Sequence, residues 1–363
     1  MNGGTCAGKA LATISLALLC CLAAAGTSLP GGQKRKNEEP KSQVQPLPPQ
    51  PPMALKADAG TLDFHLSPLL KAGGLAAQIR QSLNDLIRDT RGETIVKLRA
   101  FVAGAGDARR VQAEVVTLFT ERRLPLPVLS VVQVGALGQE AAKVVIEAVV
   151  STRRQTNPNG LAFFAGQGGN SFGQALGNLQ KSVKDAGVAP DAVLVATCFT
   201  ARFEDLNASQ NQARAAFPHA NVNLVQALRD PASEAAACEG IGQLAKAPET
   251  PLLLLESGRA ALVAPRPLVF TGLQLSFGSY LDDAHEAFVR LERAATALDP
   301  VEAPVHVNVF SLDPAGGSAL RKTTAVPPST FTVQTVEGLP SIDATAGIEA
   351  ILAPGVDKPT LHP

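Results

Sequence analysis

The sequence predicts an α+β fold made of three tandem copies of one unit. Three observations carry that expectation. The same order of apolar strands and helix-period segments occurs three times. Each copy has a Val-Gln pair followed, at nearly constant spacing, by a Glu. The composition also suits a large core: of 363 residues, 45% are hydrophobic and 18% charged, against about 25% charged in an average chain.

Composition excludes some functions. The 32 basic and 32 acidic residues cancel to a formal net charge of zero. Neutralising phosphates needs a basic excess, so no nucleic-acid partner is expected. Aromatics are 4%, with no Trp and one Tyr, too few for a base-stacking platform.

The first 53 residues read as targeting and tether. Lys9 precedes an apolar run over 10–22, which ends in Ala23-Ala24-Ala25-Gly26. That pattern is a secretory signal peptide over 1–26, and the run is short for a membrane span of about 20 apolar residues. The chain is therefore expected to be exported, periplasmic or extracellular. An uncleaved anchor and lipid attachment at Cys20 or Cys21 remain alternatives, although Leu18 and Leu19 are bulkier than lipid-attachment sites favour. Residues 27–53 are rich in Pro, Gln and charge and form a linker. Lys34-Arg35-Lys36 reads as a solvated charge run. After the leader only Cys198 and Cys238 remain, expected as two buried thiols.

The three copies are assigned to 54–150, 151–250 and 251–355, with a tail over 356–363. Each opens on a short apolar strand, at 61–66, 161–165 and 267–271. A helical segment follows, at 75–88, 172–186 and 280–298. In the first, Ile79, Leu83, Leu86 and Ile87 form one stripe. The next strands, at 95–103, 192–201 and 305–312, each carry a late Phe: Phe101, Phe199 and Phe310. A variable segment comes next, helical at 108–122 and 207–217 and shortened in the third copy. Two further strands complete each unit. One holds Val132-Gln133, Val225-Gln226 or Val333-Gln334. The other holds Glu147, Glu239 or Glu349, which lie 14, 13 and 15 residues beyond the Gln.

The run over 111–150, VQAEVVTLFTERRLPLPVLSVVQVGALGQEAAKVVIEAVV, resembles the RidA (YjgF-type, reactive-intermediate deaminase) family. FFAGQ at 163–167 resembles the family's first-strand SGQ element, and VFTG at 269–272 resembles it more weakly. The resemblance implies three RidA-like (chorismate mutase-like) domains in one chain, acting as an intramolecular pseudo-trimer with clefts between neighbouring repeats. It implies a hydrolase of short-lived imines or enamines, without a cofactor. An Arg would hold the substrate carboxylate and a Glu on the last strand would position water.

This sequence departs from the family at the Arg. The matching positions are Leu129, Val222 and Thr330, or with a one-residue shift Phe331 and Asn221. None is cationic, and a buried unpaired carboxylate costs several kcal/mol. Glu147, Glu239 and Glu349 are the candidates for water positioning. Their bland alternative is a framework role. Gly166 and Gly272 are candidate binding positions for close backbone approach to a ligand; the first copy has Leu66 there instead, so that cleft is expected to be closed. Arg99, Arg229, Arg259 and Arg266 are the cations that could compensate, a solvated surface position being the default for each. The five His residues show no ligand spacing, so no metal site is expected. Gly166-Gln167-Gly168-Gly169 lacks a phosphate-loop Lys and reads as a loop between strand and helix.

The reading favoured by these residues is an exported, non-catalytic RidA-like pseudo-trimer that binds a small molecule or protein partner. A divergent imine deaminase with a relocated Arg, or a chorismate-cleaving hydrolase, is the alternative. A purely structural module with filled clefts is the third.

Overall fold

The computed structural model describes residues 47–104, 106–231, 233, 235–255, 258–278, 282–298, 302–314, 330–355 and 360–362. The expected leader, the linker as far as residue 46 and most of the tail lie outside the described residues. Pro48 and Pro49 are exposed and Pro51 and Pro52 half-buried.

The first sheet has strands β2 (Leu62–Leu66), β3 (Thr94–Ala103), β4 (Val128–Val134) and β6 (Val144–Ser151), in the order β2-β6-β3-β4. The second copy supplies β7 (Leu161–Gly169), β8 (Val193–Thr200), β9 (Asn221–Gln226) and β10 (Ala236–Gln243), in the order β7-β10-β8-β9. The third supplies β13 (Pro267–Thr271), β15 (Glu302–Ser311), β16 (Thr330–Thr335) and β17 (Ala344–Pro354), in the order β13-β17-β15-β16. In each, the first three strands are antiparallel and the fourth is parallel to its neighbour. The fold is thus α+β with one strand order used three times.

Short strands join neighbouring sheets. β1 (Ala54–Asp58), from the start of the first copy, pairs with β13 of the third. β11 (Leu252–Leu255) and β12 (Ala260–Val263) extend the second sheet through β7. β5 (Ala136–Leu137) pairs with β9, and β14 (Gln274–Phe277) with β17. Part of the tail forms β18 (Thr360–His362), parallel to β11. Residues 48–363 form one compact unit.

Helices cover one face of each sheet. In α1 (Leu75–Asp89), Ile79, Leu83 and Leu86 are buried, as their spacing predicts. α2 (Arg109–Glu121) adds Val111, Val115 and Phe119 to the same cluster. α3 (Phe172–Asp185) starts at Ser171, whose hydroxyl accepts from Gln174 N at 3.2 Å, a conventional N-cap. Asp205 caps α4 (Leu206–Ala216) likewise. α5 (Asp282–Thr296) buries Ala284, Ala287, Phe288 and Leu291. No helix among the described residues is long and apolar enough to cross a membrane.

Two expectations are corrected here. Gly166-Gln167-Gly168-Gly169 is not a loop but the end of β7, where Gln167, Gly168 and Gly169 pair with Cys238, Ala237 and Ala236 of β10, a cross-strand partner that glycine content does not reveal. Cys198 and Cys238 are not free thiols but a disulfide. They lie directly opposite on antiparallel β8 and β10, the close cross-strand geometry that separation along the chain conceals.

Candidate functional site

Because side chains alternate across a strand, the residues of β3 that do not face α1 and α2 are Lys97, Arg99 and Phe101. On β8 the matching set is Val195, Thr197 and Phe199. On β15 it is His306, Asn308 and Phe310. These sets turn toward one another and build three layers.

The three late Phe residues form the first layer. Their ring centroids lie 5.6, 6.4 and 6.4 Å apart in edge or tilted contacts, and all are buried. Such aromatic contacts add to the burial of apolar area.

The second layer is charged. Glu147 lies opposite Arg99, Glu239 opposite Thr197 and Glu349 opposite Asn308. The single guanidinium of Arg99 reaches all three carboxylates. Its Nε donates to Glu147 Oε2 at 2.6 Å, Nη2 to Glu239 Oε1 at 2.7 Å and Nη1 to Glu349 Oε1 at 3.4 Å. The planar, forked guanidinium makes this sharing feasible. Thr197 Oγ1 and Asn223 Nδ2 both donate to Glu147 Oε1, at 2.6 and 2.7 Å. Asn308 Nδ2 donates to Glu349 Oε1 at 3.2 Å.

The third layer opens on a cavity of about 80 Å³. Phe64, Phe163 and Phe270 line it, with Val149, Ile241 and Ile351, each two residues beyond a Glu. Lys97 and His306 supply charged or polar groups. Lys97 Nζ lies 2.8 Å from Glu349 Oε2 and donates to Thr271 O at 3.0 Å. Thr330 Oγ1 donates to Val305 O at 2.8 Å and lies 2.6 Å from His306 Nδ1. The hydroxyl has one proton and a carbonyl can only accept, so His306 Nδ1 donates to Thr330. His306 Nε2 therefore faces Glu239 Oε2, 3.7 Å away.

Burial would raise the pKa of Glu349, but Lys97 and Arg99 outweigh it and hold the carboxyl at about 2. Glu239 is likewise raised by burial, then brought below the usual carboxylate range by Arg99 and His306. Burial depresses Lys97, partly offset by Glu349. Burial also opposes the charge of Arg99, yet its three carboxylates hold its pKa well above normal.

Glu147, Glu239 and Glu349, expected in separate clefts, are brought together at one centre. Arg99, expected by default at the surface, is buried there with them. The reason is that β3 is covered on both faces, a burial that strand alternation alone does not reveal. Arg229 pairs with Glu337 at the surface, and Arg266 donates to Pro354 O. Neither these nor Arg259 lines the cavity.

Gly166 and Gly272 lie outside the cavity, at seams between sheets. Gly166 N donates to Thr332 Oγ1 at 2.8 Å, and a Cβ at 166 would sit 2.8 Å from Thr332 Cγ2. A Cβ at 272 would sit 2.9 Å from Leu129 O, and Leu273 N donates to that carbonyl at 3.1 Å. At the matching seam of the first sheet, Asn221 Nδ2 donates to Phe64 O at 2.7 Å, while Leu66 lines the cavity. First strands thus pack on Val-Gln strands of other copies in the order β2 on β9, β7 on β16 and β13 on β4. Leu129 and Val222 are half-buried in their own sheets' cores, and Thr330 is fully buried. Gln133 bridges to Gly338, receiving and giving across the seam of the first and third sheets.

Lys97, Thr197, Asn223, His306 and Asn308 were not singled out from the sequence. The signal was present: Arg99, Thr197 and Asn308 each stand two residues before the late Phe, and Lys97 and His306 four before it.

No family model matches the chain, and no curated protein does. Among solved structures, the chain is similar to a chorismatase at 10% identity and a TM-score of 0.25, over 80% of this chain and 98% of that one. It is also similar to the cyanuric acid hydrolase of A. caulinodans, at 10% identity and a TM-score of 0.23, over 83% and 100% of the two chains. A further cyanuric acid hydrolase, described as an innovation by structural concatenation, matches at 14% identity and a TM-score of 0.23, over 81% and 100%. At these TM-scores the likeness decides nothing about the chemistry.

Proposed function

We propose that the chain is an exported pseudo-trimer of three RidA-like repeats that binds a small molecule in its central cavity. The observation that carries this reading is the convergence of Glu147, Glu239 and Glu349 on Arg99 beside a cavity of about 80 Å³. Three like sheets presenting the same strand position to one point support a pseudo-threefold arrangement, with repeats near 54–150, 151–250 and 251–355. At the seams, Leu129, Val222 and Thr330 offer no cation for a carboxylate, and Gly166 and Gly272 are already in contact with neighbouring side chain or backbone. Arg99 is no substitute for the lost arginines, because each of its nitrogens is engaged by a different Glu. A framework role for this layer fits its geometry: one cation neutralises carboxylates from three sheets and ties them together.

Hydrolysis of 2-iminopropanoate by the purified protein tests the reading. No turnover above the uncatalysed rate is expected, and small-molecule binding should be detectable by thermal shift. A second reading, a hydrolase working in the central cavity, is favoured by one observation: His306 Nε2 stands beside Glu239 with its ring fixed by Thr330, as a proton acceptor requires. Turnover of an iminopropanoate or chorismate substrate, abolished by His306→Gln, would replace the first reading with the second.

A further inference from the structure

Three buried acceptors on cavity-lining residues have no hydrogen-bond partner among the described residues, Glu239 Oε2, Asn308 Oδ1 and Glu349 Oε2; the last is ion-paired with Lys97, which leaves Glu239 Oε2 and Asn308 Oδ1. Both residues are 5% exposed. An unsatisfied buried acceptor costs about 1–3 kcal/mol, more when charged, so a donor belongs beside them. The neighbouring polar groups are directed elsewhere. Each nitrogen of Arg99 is taken by a Glu. Lys97 is directed at Thr271 O and Glu349, and the amide nitrogen of Asn308 is spent on Glu349. His306 Nε2 lies 3.7 Å from Glu239 Oε2, beyond hydrogen-bond length.

Charge points the same way. Three carboxylates face the two cations Lys97 and Arg99, so the acidic groups of the cluster outnumber the cations that pair with them. An uncompensated buried charge is strongly unfavourable. The remaining wall, with Phe64, Phe163 and Phe270, suits an apolar body or the edge of a cation, which aromatic faces attract. The space of about 80 Å³ is roughly half the ~150 Å³ cavity that accommodates benzene, which limits an occupant to roughly three to five heavy atoms.

We infer that the central cavity is a site for a small cationic hydrogen-bond donor of the alkylammonium or guanidinium class, held by Glu239 Oε2 and Asn308 Oδ1. This rests on the ligand-binding reading of the same cavity and names its ligand chemistry.

The test titrates the full chain with methylammonium chloride and guanidinium chloride at millimolar concentration, far below denaturing levels. Sodium chloride keeps the ionic strength constant, and urea and acetate serve as neutral and anionic probes. Thermal unfolding and calorimetric titration are the readouts. A saturable rise in the melting temperature is expected with at least one of the two cations and not with sodium or acetate. Glu239→Gln should weaken that binding about tenfold or more, the scale of one charge-assisted hydrogen bond. Because Glu239 also holds Arg99, that variant could fail to fold. Asn308→Asp, which adds an acceptor charge, should then strengthen cation binding, and Ile241→Phe, which fills the cavity, should abolish it. Saturable binding of acetate or urea alone, lost in Ile241→Phe, overturns the cationic assignment and leaves cavity binding intact. Absence of saturable binding by every probe overturns both. Cation binding that survives Ile241→Phe also overturns the assignment, because the site would lie elsewhere.

Discussion

The centre of the molecule and its seams are built from the same three strand orders, yet they solve opposite problems. At the centre, polar groups are buried in excess and matched by sharing: one guanidinium serves three carboxylates from three sheets. At the seams no charged cluster is buried, and closure comes from close contact and single hydrogen bonds, with Gly166 against Thr332, Gly272 against Leu129 and Asn221 donating to Phe64 O. The difference teaches where chemistry can reside among three sheets of one strand order. Seams must seal to hold the sheets together, whereas the point where all three meet combines like side chains, three Phe and three Glu, with the unlike Arg99, Thr197 and Asn308, and a cavity remains beside them.

The most severe way to break this contrast is to remove the shared cation. Arg99→Met leaves three buried carboxylates facing one another. A loss of at least about 3–5 kcal/mol in chemical denaturation is expected, the scale of a broken buried ion pair. Arg229→Ala, at an exposed seam pair, should leave the denaturation midpoint close to wild type. Equal effects of the two variants would erase the distinction between centre and seam.

Acid probes the same layer from the proton side. Glu349 is held at about 2 against an ordinary 4.5. Its folded pKa is depressed, so its contribution is present above pH 4.5 and is lost as pH falls toward 2. At 1.36 kcal/mol per unit, that amounts to about 3 kcal/mol. Glu239 is depressed in the same direction. Denaturation midpoints measured across this window should fall steeply for wild type and less steeply for Glu349→Gln.

The seams sharpen the comparison at smaller magnitude. Gly272→Ala places a methyl 2.9 Å from a backbone oxygen, which only a shift of β4 against β13 can relieve. A cost of about 1–3 kcal/mol is expected, as for overpacking a core, without change in cation binding at the centre. Thr330→Val should cost about 1 kcal/mol for the hydrogen bonds it removes. It also frees the ring of His306, so the ring proton resonances of the histidine should shift in this variant and stay unchanged in Gly272→Ala.

Periodicity sufficed to read α1 and its buried stripe, the strands around each Val-Gln pair and the strands around each Glu, because local burial imposes those patterns. The late Phe residues marked one register in three copies, and they do meet. Lys97 and Arg99 were harder to place. A charged residue at alternate positions of a strand ordinarily signals a wet face, and only the covering of β3 by the other two sheets makes that face interior. The strand exchanges through β1 and β12 were equally hidden, since pairing with a neighbouring sheet leaves no local mark on five or four apolar residues. Cys198 and Cys238 carry no sign of their bridge, because the cross-strand register that joins them arises only when β8 and β10 pair.

By itself, the sequence determined the main helices and the four principal strands of each sheet, the stripe that α1 buries and the correspondence of Glu147, Glu239 and Glu349. These follow from hydrophobic period and local hydrogen bonding, which act within tens of residues. Only the tertiary structure decided that the three carboxylates share Arg99, that Lys97 pairs with Glu349 and that Thr330 orients His306. The first two join residues from different repeats, and the third depends on the parallel register of β15 and β16. Their energies come from burial that no single copy possesses alone. Charge in a protein takes its meaning from the dielectric around it, and here that surrounding is made by all three sheets closing on one point.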